Sequence, residues 1–114
     1  MFDMLKNLGN LGDLMKKAKA AQDKIQAVQE ELARKQVTAD SGAGMVTATC
    51  NGKMELISLK IDKSKVDPND VEMLEDLVTA AVRAAQAQAA EVLKEEMQKA
   101  AGELGLPPGF LPGM

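Results

Sequence analysis

The sequence predicts an α+β fold with a long N-terminal helix, a three-stranded antiparallel sheet and a long C-terminal helix. Apolar residues recur at helical spacing in the first third of the chain, and again from residue 71 onward. Between these regions, residues 45–50 alternate in the way of a strand and lead into a hairpin turn. The chain has 114 residues, which indicates a single domain, 1–114, with a thin core.

The first element is a helix that we place at about residues 13–35. Gly9 and Gly12 disfavour helix before Asp13, whose carboxylate is suited to cap the first turn. The apolar positions, separated alternately by three and four residues, are Leu11, Leu14, Ala18, Ala21, Ile25, Val28 and Leu32. This helix is a rod of roughly 35 Å, longer than a small sheet can cover. We therefore expect part of its apolar stripe to pack on a second subunit.

Three strands are predicted between the helices. Residues 37–40 are a short candidate strand, and residues 41–44, Ser-Gly-Ala-Gly, are a loop. In the next strand Val46, Ala48 and Cys50 alternate with methionine and threonine.

The pair Asn51-Gly52 predicts the hairpin, because both central positions of a type I′ turn need a positive φ. A two-residue turn here pairs Cys50 with Lys53, and hence Val46 with Ile57. In that register one face of the sheet carries the apolar residues Val46, Ala48, Ile57, Leu59 and Ile61.

The second long helix is predicted to begin at Asp67-Pro68, since aspartate suits the N-cap and proline the first helical position. The acids near this end, which favour the helix dipole, are Asp70, Glu72, Glu75 and Asp76. The apolar stripe continues through Val71, Leu74, Val78, Ala81, Ala85 and Val92. The helix runs to about Glu103, over roughly 50 Å, so we expect its distal end to project or to meet another chain.

The ends of the chain are predicted to be flexible over residues 1–12 and 104–114. Gly102, Gly105 and Pro107-Pro108 stop the second helix, and the last ten residues, GLPPGFLPGM, read as a loose apolar tail.

The composition excludes most catalytic chemistry. The chain has no His, Trp or Tyr, so it lacks the usual proton shuttle, any Ser-His or Cys-His nucleophile and any His/Cys zinc site. A pair of carboxylates remains conceivable among the seventeen acids, but these follow regular helix faces. We therefore expect a protein that is not an enzyme, with no cofactor, no metal and no small-molecule substrate.

Cys50 is the single cysteine, which favours a reducing cytosol. We interpret it as a small, partly buried apolar residue, the alternative being an intermolecular disulfide or a redox sensor. No apolar run approaches the length of a membrane span. The start of the chain carries Asp3 and Lys6 and does not resemble a signal peptide. These features predict a cytoplasmic protein without a membrane partner.

The charge is distributed unevenly along the chain. The net charge is -3 with a pI near 5.0, yet residues 1–35 hold seven basic and five acidic residues. The basic residues of the first helix are Lys16, Lys17, Lys19, Lys24, Arg34 and Lys35. They either solvate the outer face of an amphipathic helix or contact phosphate.

Three motifs, in this order, resemble the YbaB/EbfC family of small bacterial nucleoid-associated proteins. They are Asn51-Gly52-Lys53, then Ser58-Leu59-Lys60-Ile61-Asp62, then Val66-Asp67-Pro68 followed by Asp70-Val71-Glu72-Met73-Leu74-Glu75-Asp76-Leu77-Val78. The resemblance implies a tweezer-like homodimer whose projecting helices clasp double-stranded DNA in the nucleoid. Transferred to this sequence, it implicates Lys16, Lys17, Lys19 and Lys24, and more weakly Lys94 and Lys99.

The aromatic and arginine content bears on the kind of nucleic acid. Single strands are gripped by stacking on aromatic rings, and Phe2 and Phe110 are the only ones available. Arg34 and Arg83 are the only arginines, which predicts little sequence specificity. The alternative function is a protein-interaction scaffold, linked to replication or recombination, with no DNA affinity of its own.

Overall fold

The computed structural model describes the backbone of residues 2–106 and the side chains of residues 10–106. The elements are α1 (Phe2–Arg34), β1 (Gln36–Ser41), β2 (Val46–Asn51), β3 (Leu56–Ile61) and α2 (Val71–Glu103). The predicted α+β class and element order are therefore confirmed. The molecule is elongated, with principal extents of 77 × 20 × 18 Å.

Helix α1 begins at Phe2, so the predicted start at Asp13 is wrong. A glycine inside a helix costs only about 1 kcal/mol relative to alanine, and good helix formers such as Leu11 and Leu14 flank Gly12. Asp13 consequently lies inside the helix instead of capping it. The flexibility expected of residues 1–12 remains a prediction.

The sheet has the order β1-β2-β3 with both pairs antiparallel. Val46 pairs with Ile61 and Ala48 with Leu59, so the predicted pairing of Val46 with Ile57 is wrong by four residues. Because four is an even number, Leu59 and Ile61 still lie on the face that carries Val46 and Ala48. A bulge interrupts the ladder between Thr49 and Cys50.

The turn after β2 explains the different register. The Asn51 side-chain oxygen accepts hydrogen bonds from the backbone N–H groups of Lys53 (2.9 Å) and Glu55 (3.1 Å). Met54 adopts the left-handed conformation, with φ of 64°. The reversal therefore spans more residues than a type I′ turn, and Gly52 is not one of its positive-φ positions.

Helix α2 begins at Val71, with Asp70 as its N-cap, so the predicted cap at Asp67 is wrong. The Asp70 carboxylate accepts a hydrogen bond from the backbone N–H of Met73 at 3.1 Å. Asp67 instead closes a turn by accepting from the backbone N–H of Asn69 at 2.9 Å. The predicted end of the helix at Glu103 is confirmed.

Two buried clusters hold the elements together. The first packs α2 on β1 and β2 through small residues, and consists of Ala39, Val46, Ala48, Cys50, Ala81, Ala85 and Ala89. The second joins α1 to α2 and consists of Val28, Leu32, Met97, Ala100 and Ala101. Cys50 is fully buried, which confirms its interpretation as a small apolar residue.

Both α1 and β3 lie partly outside these clusters. Every residue from 10 to 20 of α1 is exposed, and the helix meets α2 only from about Ile25 onward. We call residues 10–23 the arm. In β3 the residues from Leu56 to Lys60 are all exposed, because α2 packs on the other two strands.

Candidate nucleic-acid interface

The arm presents Lys16 and Lys19 side by side. They are three residues apart on a helix, a spacing that places two side chains on the same side. Both line a shallow depression together with Met15, Ala18 and Gln22. Both lysines are exposed, so their ammonium groups are available to an anion.

Lys17 is exposed but lies elsewhere on the arm. It lines a different depression, with Asn10, Leu11, Asp13 and Leu14. At 100° per residue, Lys17 is only about 60° from Leu14, whereas Lys16 is about 160° from it. The structure therefore groups Lys16 with Lys19 and sets Lys17 beside the apolar stripe and an acid.

Lys24 is engaged by helix α2 in an ion pair with Glu103. The hydrogen bond from Lys24 and its positive charge lower the pKa of Glu103, and the charge of Lys99 adds to this effect. The same hydrogen bond and the Glu103 charge raise the pKa of Lys24. Lys24 thus fastens α1 to the end of α2.

Lys94 and Lys99 are exposed on the distal half of α2. That segment also carries Glu91, Glu95 and Glu96, so its lysines stand in an acidic neighbourhood. Lys99 is close enough to Glu103 for its charge to lower the pKa of that carboxyl.

Sequence reasoning missed a second basic group around the end of β3. Lys60, Lys63 and Lys65 are all exposed, and Lys60 pairs with Thr47 across the sheet. The Lys65 ammonium lies 3.4 Å from the Ala43 carbonyl oxygen and 3.9 Å from an Asp62 carboxylate oxygen. The occurrence of three lysines within six residues was a signal of this group in the sequence. The incorrect register predicted for β3 prevented their position in the fold from being recognised.

The lysine group around β3 also contains acidic residues, which weaken its positive electrostatic field. The Ser64 hydroxyl and backbone N–H donate to Asp62, which lowers the pKa of that carboxyl, with a smaller effect from Lys65. Asp62 is therefore ionised at neutral pH beside Lys65. The Lys16 and Lys19 pair has no ion-pair partner among the described residues.

The sheet face opposite α2 is lined by hydroxyl groups. Residues that alternate with the buried positions of β2 point away from α2, and these are Thr47 and Thr49. The hydroxyl oxygens of Thr38 and Thr49 lie 3.3 Å apart across the strands.

Within residues 10–106 no three His, Cys, Asp or Glu side chains are grouped so that they could hold a metal ion. Neither described helix contains a stretch long and apolar enough to cross a membrane.

Comparison with known proteins identifies relatives over most of the chain. The chain matches the YbaB/EbfC DNA-binding family over residues 7–104. It is 54% identical to a nucleoid-associated protein of Paramagnetospirillum magneticum over 101 residues, which cover 89% of this chain and 94% of that protein. A nucleoid-associated protein of Syntrophobacter fumaroxidans is 46% identical over 100 residues, covering 88% and 91%.

A solved structure shares the fold. The crystal structure of an uncharacterized protein from Helicobacter pylori superposes with a TM-score of 0.65 at 26% identity, covering 85% of this chain and 96% of that one. The resemblance found in the sequence motifs is thereby confirmed at the level of both sequence and fold.

Proposed function

This chain belongs to the YbaB/EbfC DNA-binding family, and from that premise we propose that it binds double-stranded DNA in the bacterial nucleoid as a homodimer with little sequence preference. The α1 arms supply the phosphate contacts. The supporting observation is that Lys16 and Lys19 stand together, exposed and without an ion-pair partner, on a helix segment that packs on no other element of the part of the chain that the structure describes.

The proposed lysines contribute unequally. Lys16 and Lys19 share one side of the arm, and Lys17 stands on its flank beside Asp13. Lys24 contributes less to DNA binding because Glu103 already neutralises it. Lys94 and Lys99 contribute least, since acids surround them on α2.

Strand β3 supports the homodimer. Within residues 2–106 it is an edge strand with unpaired backbone groups along one side, and its exposed apolar side chains are Leu56, Ile57 and Leu59. Soluble proteins seldom leave such an edge uncovered. A second copy that pairs with β3 in a two-fold arrangement satisfies the edge and buries these side chains. The proposed dimer then carries two arms.

The acidic remainder of the chain limits the affinity. The net charge of -3 raises the cost of approaching a polyanion. Four to six contacts per dimer predict a log–log slope of affinity against salt of about -4 to -5, with roughly micromolar binding near physiological salt.

The second candidate function is a protein-interaction scaffold without DNA affinity. The exposed apolar residues Leu11, Leu14 and Met15 on the arm favour it. Phosphate contacts release counterions and an apolar interface does not, so salt dependence separates the two functions.

The test is a fluorescence-anisotropy titration of random-sequence duplexes at several salt concentrations. One variant replaces Lys16, Lys17 and Lys19 with Ala, and a charge-matched control replaces Lys53, Lys60 and Lys63. We expect the arm variant to bind all duplexes more weakly and with a shallower salt slope, while circular dichroism stays unchanged because alanine favours helix. An arm variant that keeps full affinity and slope would overturn the assignment. The same loss in the control would move the interface to β3.

A further inference from the structure

A small apolar pocket lies at the start of α2. It has a volume of about 130 Å³ and is lined by apolar side chains that include Met45, Met73, Leu74 and Leu77. Asp67 and Asp70 belong to the same lining. A cavity of about 150 Å³ holds a benzene molecule. This site, which we call the α2 pocket, therefore has room for one aliphatic side chain.

Hydrogen bonds hold the walls of the α2 pocket in place. The Ser41 hydroxyl donates to the Leu77 carbonyl oxygen at 2.6 Å, which fixes the end of β1 against α2. The backbone N–H of Asp62 donates to the Met45 carbonyl oxygen at 2.8 Å, which fixes the chain after β3. The pocket is therefore formed before a partner arrives, and filling it costs little ordering of its walls.

The surface around the α2 pocket is acidic. Residues 67–76 contain five acids and no basic residue, and all five are exposed, namely Asp67, Asp70, Glu72, Glu75 and Asp76. They outweigh the partial positive charge of the helix N-terminus, which is about half a unit. Lys65 also lines the pocket, but its ammonium lies 3.9 Å from an Asp62 carboxylate oxygen. The pocket therefore favours an apolar side chain that has cations beside it.

The arm carries an apolar side chain of this kind. Met15 is 66% exposed and lies beside Lys16 and Lys19. Leu11, one turn earlier on the same side of the helix, is exposed as well. Residues 14–22 hold three lysines and no acid. The arm and the α2 pocket are therefore complementary both in charge and in apolar surface.

The arm cannot reach the α2 pocket of its own chain. Helices α1 and α2 are antiparallel where they meet, because Lys35 pairs with Glu96 and Lys24 with Glu103. The arm precedes Lys24, so it extends past the end of α2. The α2 pocket lies at the beginning of the same helix, where Met73 is about 45 Å along the axis from Glu103. The two surfaces therefore lie at opposite ends of the described structure.

We propose that Met15 of one copy docks in the α2 pocket of a second copy, with Lys16 and Lys19 facing the acids around that pocket. The contact joins two different surfaces, so it is head-to-tail and can repeat from copy to copy. A single anchor with a few ion pairs makes a small, weak interface that forms at high protein concentration. It covers Lys16 and Lys19, so an engaged arm is withdrawn from DNA, a consequence that rests on the proposed function.

Sedimentation velocity of the full chain without DNA tests the contact. From micromolar to millimolar concentration the mean mass should rise beyond that of a dimer, and less so at high salt. Met15→Glu and Met73→Lys should each weaken this association by roughly tenfold or more, because each brings like charges together. Met15→Leu should retain it. Met54→Lys is the control for Met73→Lys and should also retain it, since Met54 is exposed beyond the other end of β2 from Met45.

A mixture of the two weakened variants identifies the surfaces. Met15→Glu keeps its α2 pocket and Met73→Lys keeps its arm, so the mixture should associate although each variant alone does not. A mixture that fails to associate would overturn the proposal. Association of Met73→Lys alone at the wild-type level would also overturn it and assign the arm to the arm of another copy.

A wild-type mass that never exceeds that of a dimer would overturn the proposal as well, and would leave the apolar side chains of the arm to a different protein. None of these outcomes bears on DNA binding through Lys16 and Lys19. The anisotropy titration measures that binding separately, at protein concentrations too low for the contact between copies.

Discussion

Gly52 lies directly against Leu32, and its backbone N–H donates to the Leu32 carbonyl oxygen at 2.8 Å. A Cβ on Gly52 would lie 2.7 Å from a Leu32 methyl carbon and 2.9 Å from the Leu32 carbonyl oxygen. The hairpin turn therefore packs against the last turn of α1, and only glycine fits at position 52.

Gly52→Ala should lower the free energy of unfolding by about 2 kcal/mol, because the added methyl overpacks a contact that includes backbone. Urea denaturation measures this loss. Gly12→Ala is the matched control, since a Cβ there meets no atom of the described residues within 4 Å. It should raise stability by up to about 1 kcal/mol. Equal effects of the two substitutions would contradict the close approach.

The cap of α2 gives a second prediction. Asp70→Ala should destabilise the protein by about 1 kcal/mol, since the Met73 N–H loses its acceptor at a helix start. Asp67→Ala should cost less, because it removes an exposed turn hydrogen bond outside the helix. Thermal unfolding of the two variants checks the order, and a larger loss for Asp67→Ala would return the cap to that residue.

The ion pair of Lys24 with Glu103 should make stability depend on pH. The pKa of Glu103 is lowered from its ordinary value of 4.5, so its contribution is present above that value and is lost as the pH falls through the lowered one. The pKa of Lys24 is raised from 10.5, so its contribution is lost only as the pH rises through the raised value.

Glu103→Gln should accordingly be less stable than the wild type at pH 7, and the two should converge as the pH falls below 4.5 and through the lowered pKa of Glu103. Denaturation midpoints across this range provide the comparison. Glu91→Gln on the same helix is the control and should show no such convergence. A difference between wild type and Glu103→Gln that does not shrink as the pH falls below 4.5 would mean that the ion pair is not its source.

Within the arm, the lysines should differ in their effect on DNA binding. Lys16→Ala and Lys19→Ala should each weaken duplex affinity more than Lys17→Ala, because the first two share one side and Lys17 stands beside Asp13. Lys24→Ala should mainly reduce stability, since its partner is Glu103. Single-variant titrations at low salt distinguish these effects, and equal losses for all four would argue for a diffuse field around the arm.

Leu59→Glu should dissociate the proposed homodimer, because it places a charge on the exposed apolar surface of β3. Val71→Glu, at an exposed apolar position on the first turn of α2, should leave the dimer intact. Sedimentation equilibrium reports the difference. A wild-type mass of 12.1 kDa at micromolar concentration would refute the dimer itself.

Periodicity made the element order and the buried face of β2 predictable from the sequence, and the glycines and prolines from Gly102 onward made the end of α2 at Glu103 predictable. The register of β3 was not predictable from the sequence. The pair Asn51-Gly52 favours a two-residue turn, but in the structure Gly52 packs against Leu32 and the turn is longer. The start of α2 was ambiguous because Asp67 and Asp70 are both suitable caps only three residues apart.

The candidate site was predictable only in part. The exposure of Lys16, Lys17 and Lys19 agrees with their predicted place outside the apolar stripe, but it follows from the position of the arm outside the core, because Leu11 and Leu14 are exposed as well. The ion pair of Lys24 with Glu103 depends on how α1 packs against α2, and no local sequence pattern predicts that packing.

The short contact between the helices makes α1 a lever. Its attachment to α2 lies between the ion pairs of Lys24 with Glu103 and of Lys35 with Glu96. Lys16 stands about 18 Å along the axis from Val28, so a pivot of 10° at Val28 would displace it by about 3 Å. In the proposed homodimer, such a pivot would let the spacing of the two arms adapt to bent or unevenly wound duplexes while every backbone hydrogen bond of α1 stays formed.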